Sequence, residues 1–189
     1  SYLDTGALYR AATWIALEMN CENEEQLVAA VQKVGITFET NPSNPKVVVA
    51  NRDLSREIRE ERITSKVSEV SAWPKLRKEL LHLQRQIISE ARNGIVVEGR
   101  DIGTVVAPNA QLKVYLHADL SARAKRRDLE LNKLEITAGG AEKIAESLAK
   151  RDELDSQREV SPLRVPEDSL LLDSTDLSLE EAVNYLWNV

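Results

Sequence analysis

The residues best equipped for chemistry stand together in Gly99-Arg100-Asp101-Ile102-Gly103-Thr104-Val105-Val106. One apolar run, Ile95-Val96-Val97, precedes them, and another, Leu112-Lys113-Val114-Tyr115-Leu116, follows. Arg100 and Asp101 therefore fall where a strand ends and the chain turns. In an open parallel sheet that edge is where ligands bind. A guanidinium and a carboxylate between two glycines suit close approach of a small, anionic, hydrogen-bonding ligand. The plainer alternative is a turn closed by an Arg100–Asp101 salt bridge. Two more sets of arginines follow. Arg123, Arg126 and Arg127 lie at i, i+3 and i+4 and share a helix face, where three cations repel unless something anionic pairs them. Arg151, Asp155 and Arg158 lie at i, i+4 and i+7. Helical ion pairing accounts for Arg151 with Asp155, but not for Arg158, Arg164 and the strand-end pair together.

Other chemistries lack their equipment. His82 and His117 have no metal-ligand spacing, Cys21 is the single cysteine, and no Ser-His-Asp set is arguable. A metal held by protein nitrogen or sulfur is not expected. Arg, Asp and hydroxyl groups remain, which is the equipment of phosphoryl transfer, where catalysis is mostly positioning and charge stabilisation. The net charge of −6 argues against general nucleic-acid binding. Yet 15 of the 25 basic residues are Arg, the side chain suited to bidentate phosphate recognition. A small phosphorylated ligand fits better than a polyanion. At 189 residues, 42% apolar and 30% charged, the chain reads as one soluble globular domain. No apolar run reaches the roughly 18 residues of a membrane span, and no signal-peptide pattern is present. Sparse cysteine fits a reducing cytoplasm. A monomer is expected.

The elements that must position these groups can be read from periodicity. Asp4 or Thr5 caps a helix to about Met19. Asn23-Glu24-Glu25-Gln26 resembles a capping box opening a second helix that Gly35 ends. Residues 36–58 change character: β-rich Ile36-Thr37-Phe38 and Val47-Val48-Val49 flank the turn cluster Asn41–Pro45, which predicts a small antiparallel insertion. Helix is predicted over 60–72, then a long helix from Pro74 that stops at Asn93-Gly94. Strands are predicted over 95–98, 112–117 and 170–173. Asp119 caps the basic helix, a Gly139-Gly140 break leads to a helix ending near Arg158, and Ser178–Glu181 is a capping box for the last helix. Strands separated by helices imply an α/β protein whose parallel sheet is flanked by helices. Three buried strands are few for such a sheet.

Three separated motifs now carry a resemblance. Tyr2-Leu3-Asp4-Thr5-Gly6-Ala7-Leu8-Tyr9-Arg10, Glu98-Gly99-Arg100-Asp101-Ile102-Gly103-Thr104-Val105-Val106 and Arg151-Asp152-x-x-Asp155-x-x-Arg158 resemble the bacterial cytidylate kinase family, in order and spacing, over nearly the whole chain. The resemblance implies the P-loop type of nucleoside monophosphate kinase fold, with a helical lid over 119–158. It implies transfer of the ATP γ-phosphoryl group, with Mg²⁺, to CMP or dCMP. It places Arg10, Arg100 and Arg158 on the acceptor phosphate, Ser68, Arg77 and Asp101 around the cytosine, and Thr5, Arg151 and Asp155 near the sugar. It makes Arg123 and Arg127 the lid arginines that approach the transferring phosphoryl, with Arg158 beside them in catalysis. It assigns 36–58 to the enlarged monophosphate-binding region. The physical reasons agree, since an acceptor phosphate needs several cations and cytosine offers an exocyclic amine to a carboxylate such as Asp101. The family opens with a strand, a G-x-x-x-x-G-K-[ST]-type loop and a helix, none of which stands in the 189 residues. The expectation is a chain that begins inside the fold, short of about 25–30 residues, with little kinase activity of its own. Two other readings compete. One is an inactive remnant that keeps the CMP site. The other is a kinase for a different small acceptor, such as UMP or shikimate, against which Ser68, Arg77 and Asp101 count.

Overall fold

Asp4 ends the first strand and starts the first helix in one step. Its Oδ1 accepts the Ala7 N–H at 3.0 Å, which satisfies an otherwise orphaned donor. The strand is β1 (Tyr2–Asp4) and the helix α1 (Thr5–Glu18). The computed structural model describes residues 1–136 and 140–189, and α1 runs through the middle of its main core. Leu8, Ala11, Ala12 and Ile15 recur at helical spacing and are at most 1% exposed. Each fully buried Leu or Ile contributes about 1.5–3 kcal/mol. Helix α2 (Glu24–Val34) packs Leu27, Ala30 and Val31 into the same core. The Asn23 side chain caps it by accepting the Gln26 N–H, while Gln26 Oε1 accepts the Glu22 N–H, one residue earlier than a capping box requires. Gly35 (φ 72) ends it as predicted.

An antiparallel sheet follows, of β2 (Ile36–Glu39), β3 (Lys46–Val49) and β4 (Arg52–Asp53). Ala50 and Asn51, both at positive φ, make the two-residue turn that pairs Val49 with Arg52. Where one helix is predicted over 60–72, two four-residue helices stand, α3 (Glu61–Thr64) and α4 (Val67–Val70). The break falls where Thr64 and Ser65 turn their hydroxyls back to the Arg59 and Arg62 carbonyls, local bonds that compete with the helix. Helix α5 (Pro74–Glu90) opens on its proline.

The parallel strands depart most from expectation. The sequence pattern predicts one sheet with three buried strands. Instead β1 pairs in parallel with β5 (Val96–Glu98), and β6 (Val114–His117) pairs in parallel with β7 (Leu170–Asp173), as two separate ladders. At three residues, β1 is too short to show a period. Nor are the strands fully buried: Val96, Leu116 and Leu171 are more than 60% exposed. Among the described residues, β5 and β6 each keep one edge without a partner. The α/β class stands, with parallel pairs, flanking helices and an antiparallel sheet.

Helices α6 (Leu120–Lys133) and α7 (Ala141–Gln157) pack on each other around Ala124, Leu131 and Ile144, a small core separate from the main one. Asp119 stands at the start of α6 but does not cap it with its side chain. Its N–H goes instead to Thr175 Oγ1 at 2.9 Å. Gly140 (φ 89) precedes α7; Gly139 lies outside the described residues. The last helix, α8 (Leu179–Trp187), carries the predicted Ser178–Glu181 capping box with both bonds made.

Candidate functional site

The chain turns at the end of β5 into a single π-helical turn, Ile102–Val106, whose Val105 and Val106 N–H groups both point to the Asp101 carbonyl. This turn, the start of α1, α4, α5 and α7 surround a cavity of about 890 Å³. Ten predicted site residues line it: Thr5, Arg10, Ser68, Arg77, Arg100, Asp101, Arg127, Arg151, Asp155 and Arg158. Arg123 does not line it.

One end is set by the β1–β5 ladder. Thr5 Oγ1 donates to the Glu98 carbonyl at 2.8 Å. A Cβ on Gly99 would come within 2.2 Å of that hydroxyl, so only glycine permits the approach. Asp101 does not pair with its neighbour Arg100. Its Oδ2 meets Arg77 Nη2 at 2.5 Å, with both side chains buried. Arg77 also donates to the Ser71 carbonyl at 3.0 Å and lies 5.2 Å over the Tyr9 ring. The salt-bridged turn is thus replaced by an ion pair between α5 and the π turn. A pair this buried is costly to break from one side.

The other end gathers guanidinium groups. Arg10 is buried and donates to the Ile58 carbonyl at 3.0 Å and to Thr64 Oγ1 at 2.9 Å. Burial, then the neighbouring Arg151, Arg127 and Arg59, press it down to about 9. Burial similarly lowers Arg151, with Arg100 adding to the effect. The Asp155 carboxylate, 3% exposed, faces three arginines: Arg158 at 3.2 Å, Arg100 at 3.3 Å and Arg151 at 3.7 Å. The i,i+4 pair expected to hold Asp155 is therefore the longest of the three. Arg158 stands at the end of α7, as predicted. Its Nε donates to the Ser161 carbonyl at 2.6 Å, and its buried Nη2 has no partner among the described residues.

The three arginines read as one helix face diverge. Arg123 Nη1 meets Asp152 Oδ2 at 2.5 Å. Arg126 turns away to the carbonyls of Ser174 and Leu177. Arg127 Nη1 pairs with Glu130 at 2.7 Å. Sequence reasoning assigned nothing to Tyr9, Thr64, Ser71, Arg59, Glu130 or Asp152. Tyr9 and Asp152 stand inside the quoted motifs, so position was the available signal. Arg59, which reaches Glu130 at 3.0 Å and Asp4 at 4.0 Å, had none. Among the described residues, no cluster of three or more His, Cys, Asp or Glu is placed to hold a metal ion, and no helix is long and apolar enough to cross a membrane.

Buried cations outnumbering carboxylates around one cavity are unstable until an anion joins them. On an α/β scaffold, beside a strand end, such a set of cations suits a small anionic ligand. The chain belongs to the cytidylate kinase family, whose family model matches residues 1–189. It is 42% identical over 184 residues to a cytidylate kinase of Bacillus cytotoxicus, covering 96% of this chain and 80% of that one. A cytidylate kinase of Streptomyces griseus is 44% identical over 97% of this chain and 78% of its own. One of Bacillus cereus is 41% identical, with 100% and 83% covered.

Proposed function

We propose that this chain binds CMP or dCMP as the acceptor in transfer of the ATP γ-phosphoryl group, giving CDP or dCDP. The observation that carries the reading is one cavity lined both by the Asp101 carboxylate and by several guanidinium groups. At one end the Asp101 carboxylate is fixed by Arg77 through Oδ2, which leaves Oδ1 to accept an exocyclic amine, with Ser68 beside it. At the other end Arg10, Arg100 and Arg158 surround space for a phosphate, and the buried Arg158 Nη2 awaits an acceptor. Thr5, Arg151 and Asp155 line the stretch between and take the sugar. An acceptor without an amine, such as UMP or shikimate, would leave Asp101 Oδ1 without a donor.

The relatives' names support the same acceptor. Residues 36–58 serve as part of the monophosphate-binding region. Residues 119–158, resting on their own small core, serve as a lid that brings Arg123 and Arg127 to the phosphoryl group. Mg²⁺ arrives with ATP, since it binds mainly through phosphates and water, and no residue of this chain is assigned to it. The donor phosphates have no G-x-x-x-x-G-K-[ST] cradle among these 189 residues. Val97 and Glu98 of β5 and Val114, Tyr115 and Leu116 of β6 line the same cavity. A second reading, a catalytically silent CMP-binding protein, draws on the missing cradle alone.

Calorimetry of this chain with CMP, dCMP, UMP, AMP and ATP tests the acceptor side. CMP and dCMP should bind measurably, UMP and AMP less well, and ATP much more weakly. Tight ATP binding with none for CMP overturns the assignment.

A further inference from the structure

Asp152 is placed between Arg100, assigned above to the acceptor's phosphate, and Arg123, assigned to the transferring phosphoryl group. Its Oδ1 accepts Arg100 Nη2 at 2.7 Å, and its Oδ2 accepts Arg123 Nη1 at 2.5 Å. Three elements meet on this carboxylate: the loop after β5, α6 and α7. A phosphate offers the same pattern, two acceptor oxygens on one atom facing two guanidinium forks. We propose that Asp152 is an internal competitor for the acceptor's phosphate, holding Arg100 and Arg123 and yielding them to a phosphate-bearing ligand. The proposal rests on the acceptor-site reading above.

Three observations carry it. The side chains are a quarter to a third exposed, at 25% for Asp152, 29% for Arg100 and 33% for Arg123. Pairs that wet contribute little to stability, so they are not needed as a structural weld. Asp155, one turn further along α7, is different. It is buried, and it keeps Arg151 and Arg158 if Arg100 leaves. Asp152 is thus the carboxylate whose partners are free to change hands. Last, Arg100 lines the cavity while Arg123 does not, so Asp152 draws Arg123 away from the reacting volume.

Such a competitor raises the affinity that a ligand must bring before it occupies the site. A cluster of arginines with no counter-charge would retain any small anion. With Asp152 to displace, phosphate alone gains little, while a ligand that also fills the Asp101 end gains enough.

The test compares this chain with Asp152→Asn by calorimetry against CMP, cytidine and inorganic phosphate, with Tm alongside. The variant should bind CMP and inorganic phosphate about tenfold tighter, near the scale of one charged hydrogen bond. Cytidine affinity and Tm should not change. CMP affinity unchanged or weakened in a folded variant overturns the proposal. In the unaltered chain, the ¹³Cγ resonance of Asp152 should shift with CMP and with inorganic phosphate, and stay still with cytidine. CMP bound with that resonance unmoved also overturns it, whatever the variant does. A shift with inorganic phosphate but no affinity for CMP would uphold the competitor and overturn the acceptor reading.

Discussion

Arg158 shows at the scale of one residue how the site is made ready. Nε is anchored on the Ser161 carbonyl and Nη1 on Asp155, while Nη2 is buried with no partner among the described residues. An unpaired buried donor costs roughly 1–3 kcal/mol, which a phosphate oxygen would restore. Arg158→Lys keeps the charge but loses the fork that uses all three positions at once. CMP binding should weaken by on the order of 1–3 kcal/mol, with cytidine binding unchanged. Calorimetry decides: equal losses for both ligands mean that Arg158 does not touch the phosphate. Asp101 is a less clean probe, because its replacement would also break a buried ion pair and cost about 3–5 kcal/mol of stability. Arg158 was legible from its spacing beyond Asp155. The Arg77–Asp101 pair was not, because its partners are 24 residues apart and join two different elements.

The β1–β5 ladder is the element that sets the mouth of the site, and it stores unfavourable charge there. Register places Asp4 beside Glu98 at the ends of the two strands. Partial desolvation first, then the Asp4 carboxylate, raises Glu98 above the ordinary glutamate range, although the nearby Tyr2 hydroxyl works the other way. The sign follows from linkage. With the folded group harder to ionise than the unfolded one, ionised Glu98 costs stability at every pH above its raised folded value. The cost vanishes below about 4.5, where both states are protonated. Glu98→Gln should therefore raise Tm at pH 7, and the gain should fade as pH drops toward 4. Thermal melts across that range check it, and a gain that persists in acid would assign the effect to something other than charge. The helix caps at Asn23 and Ser178 and the Gly35 stop were legible because they depend on residues a few positions apart. The register that puts Asp4 beside Glu98 was not, because β1 has only three residues.

At the scale of the whole molecule, the main core is assembled around α1 while the parallel strands form two separate pairs. Electrostatic cradling of the donor's phosphates is the main catalytic contribution in this chemistry. With no G-x-x-x-x-G-K-[ST] loop among these residues, the chain assayed alone by coupled ADP release should turn over CMP at background. Joining a strand–loop–helix unit that carries that loop should raise turnover toward roughly 1–100 per second. Ordinary turnover by the chain alone would overturn the reading. The sequence by itself determined the longer helices, the antiparallel excursion and the α/β class, because periodicity, capping residues and positive-φ turns act over a few residues. It also determined that arginine would outnumber lysine, because composition is a property of the chain. Tertiary structure alone decided the partners. It sent Arg126 to carbonyls, Asp101 to Arg77, and Arg100 with Arg123 to Asp152. Ion pairs form between whichever charges packing brings within reach, and that packing is set by core residues far from the site.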